Sequence, residues 1–102
     1  MASNLTDTLY TELEEDDIGL WVIPWHLERV GIPKSNQLQE TKKIVYELLN
    51  KGARFGQFIE NNGNKEFVVW KLSTTEIIDK IESEWKKANR APEIGEIGWL
   101  SK

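Results

Sequence analysis

The chain has 102 residues, 39% hydrophobic and 29% charged, with a formal net charge of −4. That length fits one globular domain. The absence of cysteine excludes disulfides, thiolate catalysis and Cys-based zinc sites. The acidic balance argues against a dedicated nucleic-acid binder, whose affinity comes largely from phosphate contacts.

Residues 1–15 read as a flexible acidic tail, because Leu5, Leu9 and Tyr10 lie among polar residues without a sustained period. The globular domain is expected over 16–102. Glu14-Glu15-Asp16-Asp17 is expected to be solvated, close to the N-terminus of the next helix, where negative charge suits the dipole. The longest apolar run, Leu20 to Trp25, is far too short to cross a bilayer. Met1 is followed by polar residues and not by a basic, then apolar, leader. The expected compartment is the cytoplasm.

Asp17 to Val30 is the densest apolar segment. Pro24 divides the readings. Either a helix starts near Ile18 to Trp21 and absorbs Pro24 in its first turn, or a short strand over Gly19–Ile23 precedes a helix from Pro24. The first is preferred. Gly31 and Pro33 end the element.

Lys34 to Lys51 predicts the second helix, capped by Ser35 or Asn36, with Asn36 and Gln39 at capping-box spacing. Leu38, Thr41, Val45 and Leu48 form its apolar stripe, widened by Ile44 and Leu49. Gly52 stands where a left-handed stop is wanted.

Arg54 to Leu72 predicts a hairpin turning on Asn62-Gly63, a pair suited to the type I′ turn. That turn sets Glu60 opposite Lys65, Phe58 opposite Phe67 and Phe55 opposite Trp70. Both faces of the ribbon are apolar, so only the tip, residues 60–65, is expected to project. The base needs helices, a third strand or a partner, and a homodimer is one solution.

Ser73-Thr74-Thr75-Glu76 is a full capping box and opens a third helix to about Asn89. Ile94, Ile97 and Leu100 then recur every three residues beside Trp99. They suggest a short helical turn or an irregular segment packed on the core. The fold class is therefore α+β: helix, helix, β-hairpin, helix and a packed C-terminal segment.

Chemical motifs are sparse. His26 is the only histidine, and no Gly-rich phosphate loop is present. No catalytic residue, metal ligand or cofactor is expected, and the chain reads as a non-enzyme. Core burial is the ordinary reading of each tryptophan. Trp25 and Trp99, with His26, are the candidates for a protein interface, because Trp is enriched at binding hot spots.

The stretch Ser35 to Asn89 resembles a winged-helix domain. It has a helix ending in Val45-Tyr46-Glu47-Leu48-Leu49-Asn50-Lys51-Gly52, then a two-stranded wing, then Leu72-Ser73 opening another helix. The resemblance implies a groove-facing helix with Gln37, Glu40, Lys43 and Glu47, and a tip of Asn61, Asn62, Asn64 and Lys65 against the nucleic-acid backbone. Two departures stand beside it. The first helix of the usual trio is missing or reduced to residues 5–15, and two acids lie on the groove face. Winged helices that have lost DNA binding often serve as protein-interaction modules, and this chain is similar to those in its charge. The Leu-Trp helix, the Trp-Lys-Leu-Ser junction and the C-terminal Ile-Gly-Trp are also similar to small bacterial proteins, a likeness that implies no activity.

Two functions follow as expectations. The first is a non-catalytic protein-interaction or regulatory module, such as an inhibitor or immunity-type protein that binds a basic partner. The second is a winged-helix DNA-binding regulator. A contiguous basic face on helix 36–51 and the wing would favour DNA, and an acidic or aromatic face would favour protein.

Overall fold

The computed structural model describes residues 2–102, with side chains from Leu5 onward. The described residues form an α+β fold of four helices and one four-stranded antiparallel sheet. None of these helices is long and apolar enough to cross a membrane.

The expected tail is a helix, α1 (Ala2–Leu13). Met1 lies outside the described residues. Leu5, Leu9 and Leu13 are four apart and share one side of the helix. Leu9 and Leu13 are buried against the core, each contributing about 1.5–3 kcal/mol. Thr6 donates to the Glu47 carboxylate at 2.6 Å, which ties α1 to the helix it covers. The acidic run therefore follows the C-terminal end of α1, where the dipole disfavours it. Lys102 answers part of that charge by pairing with Glu14 at 2.8 Å.

Both readings of the Pro24 segment are partly met. A two-residue strand, β1 (Ile18–Gly19), precedes α2 (Val22–Arg29). Pro24 is the third residue of α2, where its missing N–H would have had no intrahelical acceptor. The element ends at Gly31 as expected, and Ile32 N–H returns to the Leu27 carbonyl at 2.9 Å.

Helix α3 (Lys34–Asn50) is the hub, packed against α1, α2 and the last helix. Its cap differs from expectation. Pro33 is the N-cap residue and makes no side-chain cap bond, so neither Ser35 nor Asn36 takes that part. The Asn36 N–H instead donates to the Pro33 carbonyl at 2.8 Å. Gln37, Thr41, Ile44, Val45 and Leu48 are its buried residues.

The hairpin consists of β2 (Arg54–Asn61) and β3 (Asn64–Val69), in the expected register: Glu60 opposite Lys65 and Phe58 opposite Phe67. Asn62 and Gly63 have φ of 54° and 82°, as the turn requires. Helix α4 (Thr74–Ala88) carries the full capping box on Ser73 and Glu76. Residues 99–101 are not a helical turn. They form β4 (Trp99–Ser101), which inserts between β1 and β2 to give the order β1-β4-β2-β3. Gly98 makes that insertion feasible, because a Cβ there would lie 2.5 Å from the Phe55 ring.

The core lies between the helices and one face of the sheet. Ile18, Leu100 and Phe55 meet Leu9, Ile44, Leu48, Ile77 and Ile81 there. The strand alternation sends Trp99, Phe58, Phe67 and Val69 to the other face. The hairpin projects further than its tip. Ile59 and Val68 are also exposed, because β4 and the helices cover only the base.

Candidate functional site

A cleft of about 1170 Å³ opens between α2, the start of α3, the end of α4 and the segment after it. Trp21, Trp25 and Trp85 line it, with Pro24, Pro92 and Ile94. Trp21 and Trp25 are one helical turn apart, so they share a side of α2. Trp25 is 53% exposed, which overturns the expectation that each tryptophan is core. Trp85 alone of the five is buried. Arg29 places its guanidinium 4.8 Å from the Trp25 ring centroid, so this face already accommodates a cation.

The opposite wall is braced by an ion pair. Asn89 takes the left-handed conformation, φ 57°, and ends α4. Arg90 then grips Glu96 with two bonds of 2.6 and 2.9 Å. The Glu93 N–H donates to the same carboxylate at 2.7 Å. The Arg90 guanidinium, seconded by that N–H, holds the Glu96 carboxyl down at about 2, and Glu96 in turn raises Arg90. The bracket closes the loop over 90–96 and presents Ile94, 80% exposed, at the cleft.

The charges around the cleft are largely committed. Lys86 pairs with Glu82 at 2.7 Å, and Arg90 pairs with Glu96. Glu28 and Glu93 bring carboxylates to the lining, and Lys34 is its remaining cation. Glu28 also accepts from the Gln37 amide at 3.0 Å. No family model, curated protein or solved structure matches the chain.

The three interface candidates separate. Trp25 lines the cleft. His26 is half-buried beside it, with its ring 5.0 Å from the Trp25 indole, and is not part of the lining. Trp99 lies on the outer sheet face, edge-on to Trp21 at 4.9 Å and to Phe58 at 5.3 Å. Phe67 follows Phe58 at 5.2 Å. Trp21 thus belongs both to the cleft and to a row of four rings across the sheet.

The nucleic-acid candidates divide differently. Gln37 is buried, at 3% exposure, and bonds Glu28 and the Ile32 carbonyl, so it cannot reach a groove. Lys43 is exposed and pairs with Glu40 at 3.6 Å. Glu47 is taken by Thr6. Lys42 pairs with Glu82, and Lys51 lies 3.9 Å from Asp7. Asn61, Asn62, Asn64 and Lys65 do cluster, exposed, at the hairpin tip. Among the described residues, the cations of α3 and the hairpin do not form a contiguous unpaired face.

The sequence reading missed Ile94 and the part played by Trp21 and Trp85. The four-residue spacing of Trp21 and Trp25 was a usable signal. The loop bracket was not, because nothing in the spacing of Arg90 and Glu96 marks a fork-to-fork ion pair.

Proposed function

We propose that the protein is a non-catalytic interaction module of the inhibitor or immunity type, which takes a basic segment of a partner protein in the cleft. One observation carries this reading. Trp25 on α2 and Ile94 on a braced loop face the same cleft while more than half exposed. A large indole held in water on a rigid element costs free energy that a partner recovers. With Lys86 and Arg90 paired to Glu82 and Glu96, the lining keeps Glu28 and Glu93 against Lys34, and with the net charge of −4 this favours a cationic guest. The cytoplasm is the proposed place of work.

Affinity capture from native cells tests it, with wild type and Trp25→Ala side by side. A stoichiometric partner held by the wild type, lost by the variant and rebinding when purified is the expected result. Equal recovery of every protein by both chains would sink the reading.

A second reading has support of its own. The α1–α2–α3 trio followed by a hairpin and α4 restores the helix that the winged-helix comparison lacked, and α2 joins α3 through only four residues. That reading requires duplex binding that falls steeply with salt and weakens in Lys43→Glu. The paired lysines of α3 and the burial of Gln37 count against it.

A further inference from the structure

Among the described residues, strand β3 ends the sheet, and its six residues pair only with β2. The ladder runs without a bulge from Gly56 opposite Val69 to Asn61 opposite Asn64. No proline interrupts the edge, and its two charges, Lys65 and Glu66, lie towards the turn and leave Phe67, Val68 and Val69 without one. Natural edges are normally blunted by such devices. Ile59, Val68 and Leu72, three of the exposed apolar side chains, lie beside this edge.

The direction of the free backbone groups follows from one bond. Trp70 N–H donates to the Phe55 carbonyl at 2.9 Å, so 55 and 70 form a hydrogen-bonded pair. Antiparallel ladders alternate. The pairs 57–68, 59–66 and 61–64 are then hydrogen-bonded as well. Lys65, Phe67 and Val69 turn their N–H and C=O groups outward.

We infer that β3 pairs with β3 of a second copy of this chain, antiparallel about a two-fold axis at Phe67. Charge and strand length select the register: axes at Asn64 or Val69 oppose no like charges but leave much of β3 unpaired. An axis at Glu66 sets Glu66 against its own copy, and an axis at Lys65 does the same with lysines. An axis at Val68 sets Lys65 against Lys71. With the axis at Phe67, Glu66 faces Val68 and Lys65 faces Val69, so no like charges oppose. That register uses all three outward residues and closes about six backbone hydrogen bonds. It also sets Phe67 beside its copy and joins the two rows Trp21–Trp99–Phe58–Phe67 into one band across a continuous sheet. The β3 pairing is independent of the cleft, and Trp25→Ala leaves it untouched.

Amide exchange on the wild-type chain reads the pairing directly. Between about 10 μM and about 1 mM, protection at Lys65, Phe67 and Val69 rises at least about tenfold, while Glu66 and Val68 are protected at both concentrations. Sedimentation over the same range shows mass rising from 11.8 kDa towards twice that value. The chain has no cysteine, so single replacements report the register. Phe67→Cys oxidises to a linked dimer, since hydrogen-bonded partners sit about 5.5 Å apart at Cα. Glu66→Cys links at least about tenfold more slowly. A constant 11.8 kDa with unchanged protection overturns the dimer. Preferential linking through Cys at 66 overturns the register.

Discussion

Trp21 stands edge-on to Trp99, with ring centroids 4.9 Å apart and planes at 87°. The contact exists because Gly19, opposite Trp99 in the ladder, has no side chain. A Cβ at Gly19 would fall 1.5 Å from the Trp21 ring, so the indole occupies the space that a side chain would take. The cleft and the aromatic row are joined at this one ring.

Gly19→Ala is expected to evict the Trp21 indole and to destabilise the fold by about 1–3 kcal/mol, the usual cost of overpacking. Urea unfolding measures it. In a Trp21→Ala background the added methyl has room, and most of that cost disappears. An undiminished cost in the double variant would show that the backbone of β1, not the ring, rejects the methyl.

The start of α4 offers a second test. Ser73 Oγ accepts from Glu76 N–H at 3.2 Å, and the Glu76 carboxylate accepts from Ser73 N–H at 2.9 Å. Ser73→Ala removes one of these bonds and should cost about 1 kcal/mol in chemical denaturation. Ser73→Asp restores an acceptor and should return most of it. A loss in Ser73→Asp equal to that in Ser73→Ala would mean that the cap contributes through something other than its acceptor.

Thr41 predicts a gain. Its side chain is fully buried in α3, and its hydroxyl has no hydrogen-bond partner among the described residues. Thr41→Val keeps the shape and removes the unpaired group, so stability should rise by about 1–3 kcal/mol, read as a higher denaturation midpoint at unchanged slope. Destabilisation by the valine would reveal a partner for the hydroxyl.

What the sequence disclosed divides along physical lines. The hairpin register and the α4 cap were legible because Asn62-Gly63 and Ser73-Thr74-Thr75-Glu76 satisfy local backbone demands that no distant residue alters. Helix α1 was not, since three leucines at four-residue spacing define a face only once α3 is there to receive it. Strand β4 was hidden for the same reason. Trp99-Leu100-Ser101 is too short to show alternation and becomes a strand by filling a slot between β1 and β2. At the cleft, Trp25 was legible as a candidate by residue type alone. Gln37 was misread because Glu28 and the Ile32 carbonyl, which bury it, come from the preceding helix and turn.

Acid should loosen the wall of the cleft before it unfolds the core. Glu96 is held at about 2 by Arg90 and by the Glu93 N–H, and Glu82 at about 2 by Lys42 and Lys86, against an ordinary value of 4.5. A carboxyl with a depressed folded value binds its proton more readily in the unfolded chain. Its contribution is complete above pH 4.5 and is lost as pH falls towards about 2. Both carboxylates are accessible to solvent, so salt screens the effect. Between pH 4.5 and 2, the amides of the 90–96 loop should lose protection. Glu96→Gln should abolish most of that loss within the loop and leave the α3–α4 contact at Lys42 and Glu82 as acid-sensitive as in the wild type. Loop amides that titrate identically in the variant would take the bracket out of the account.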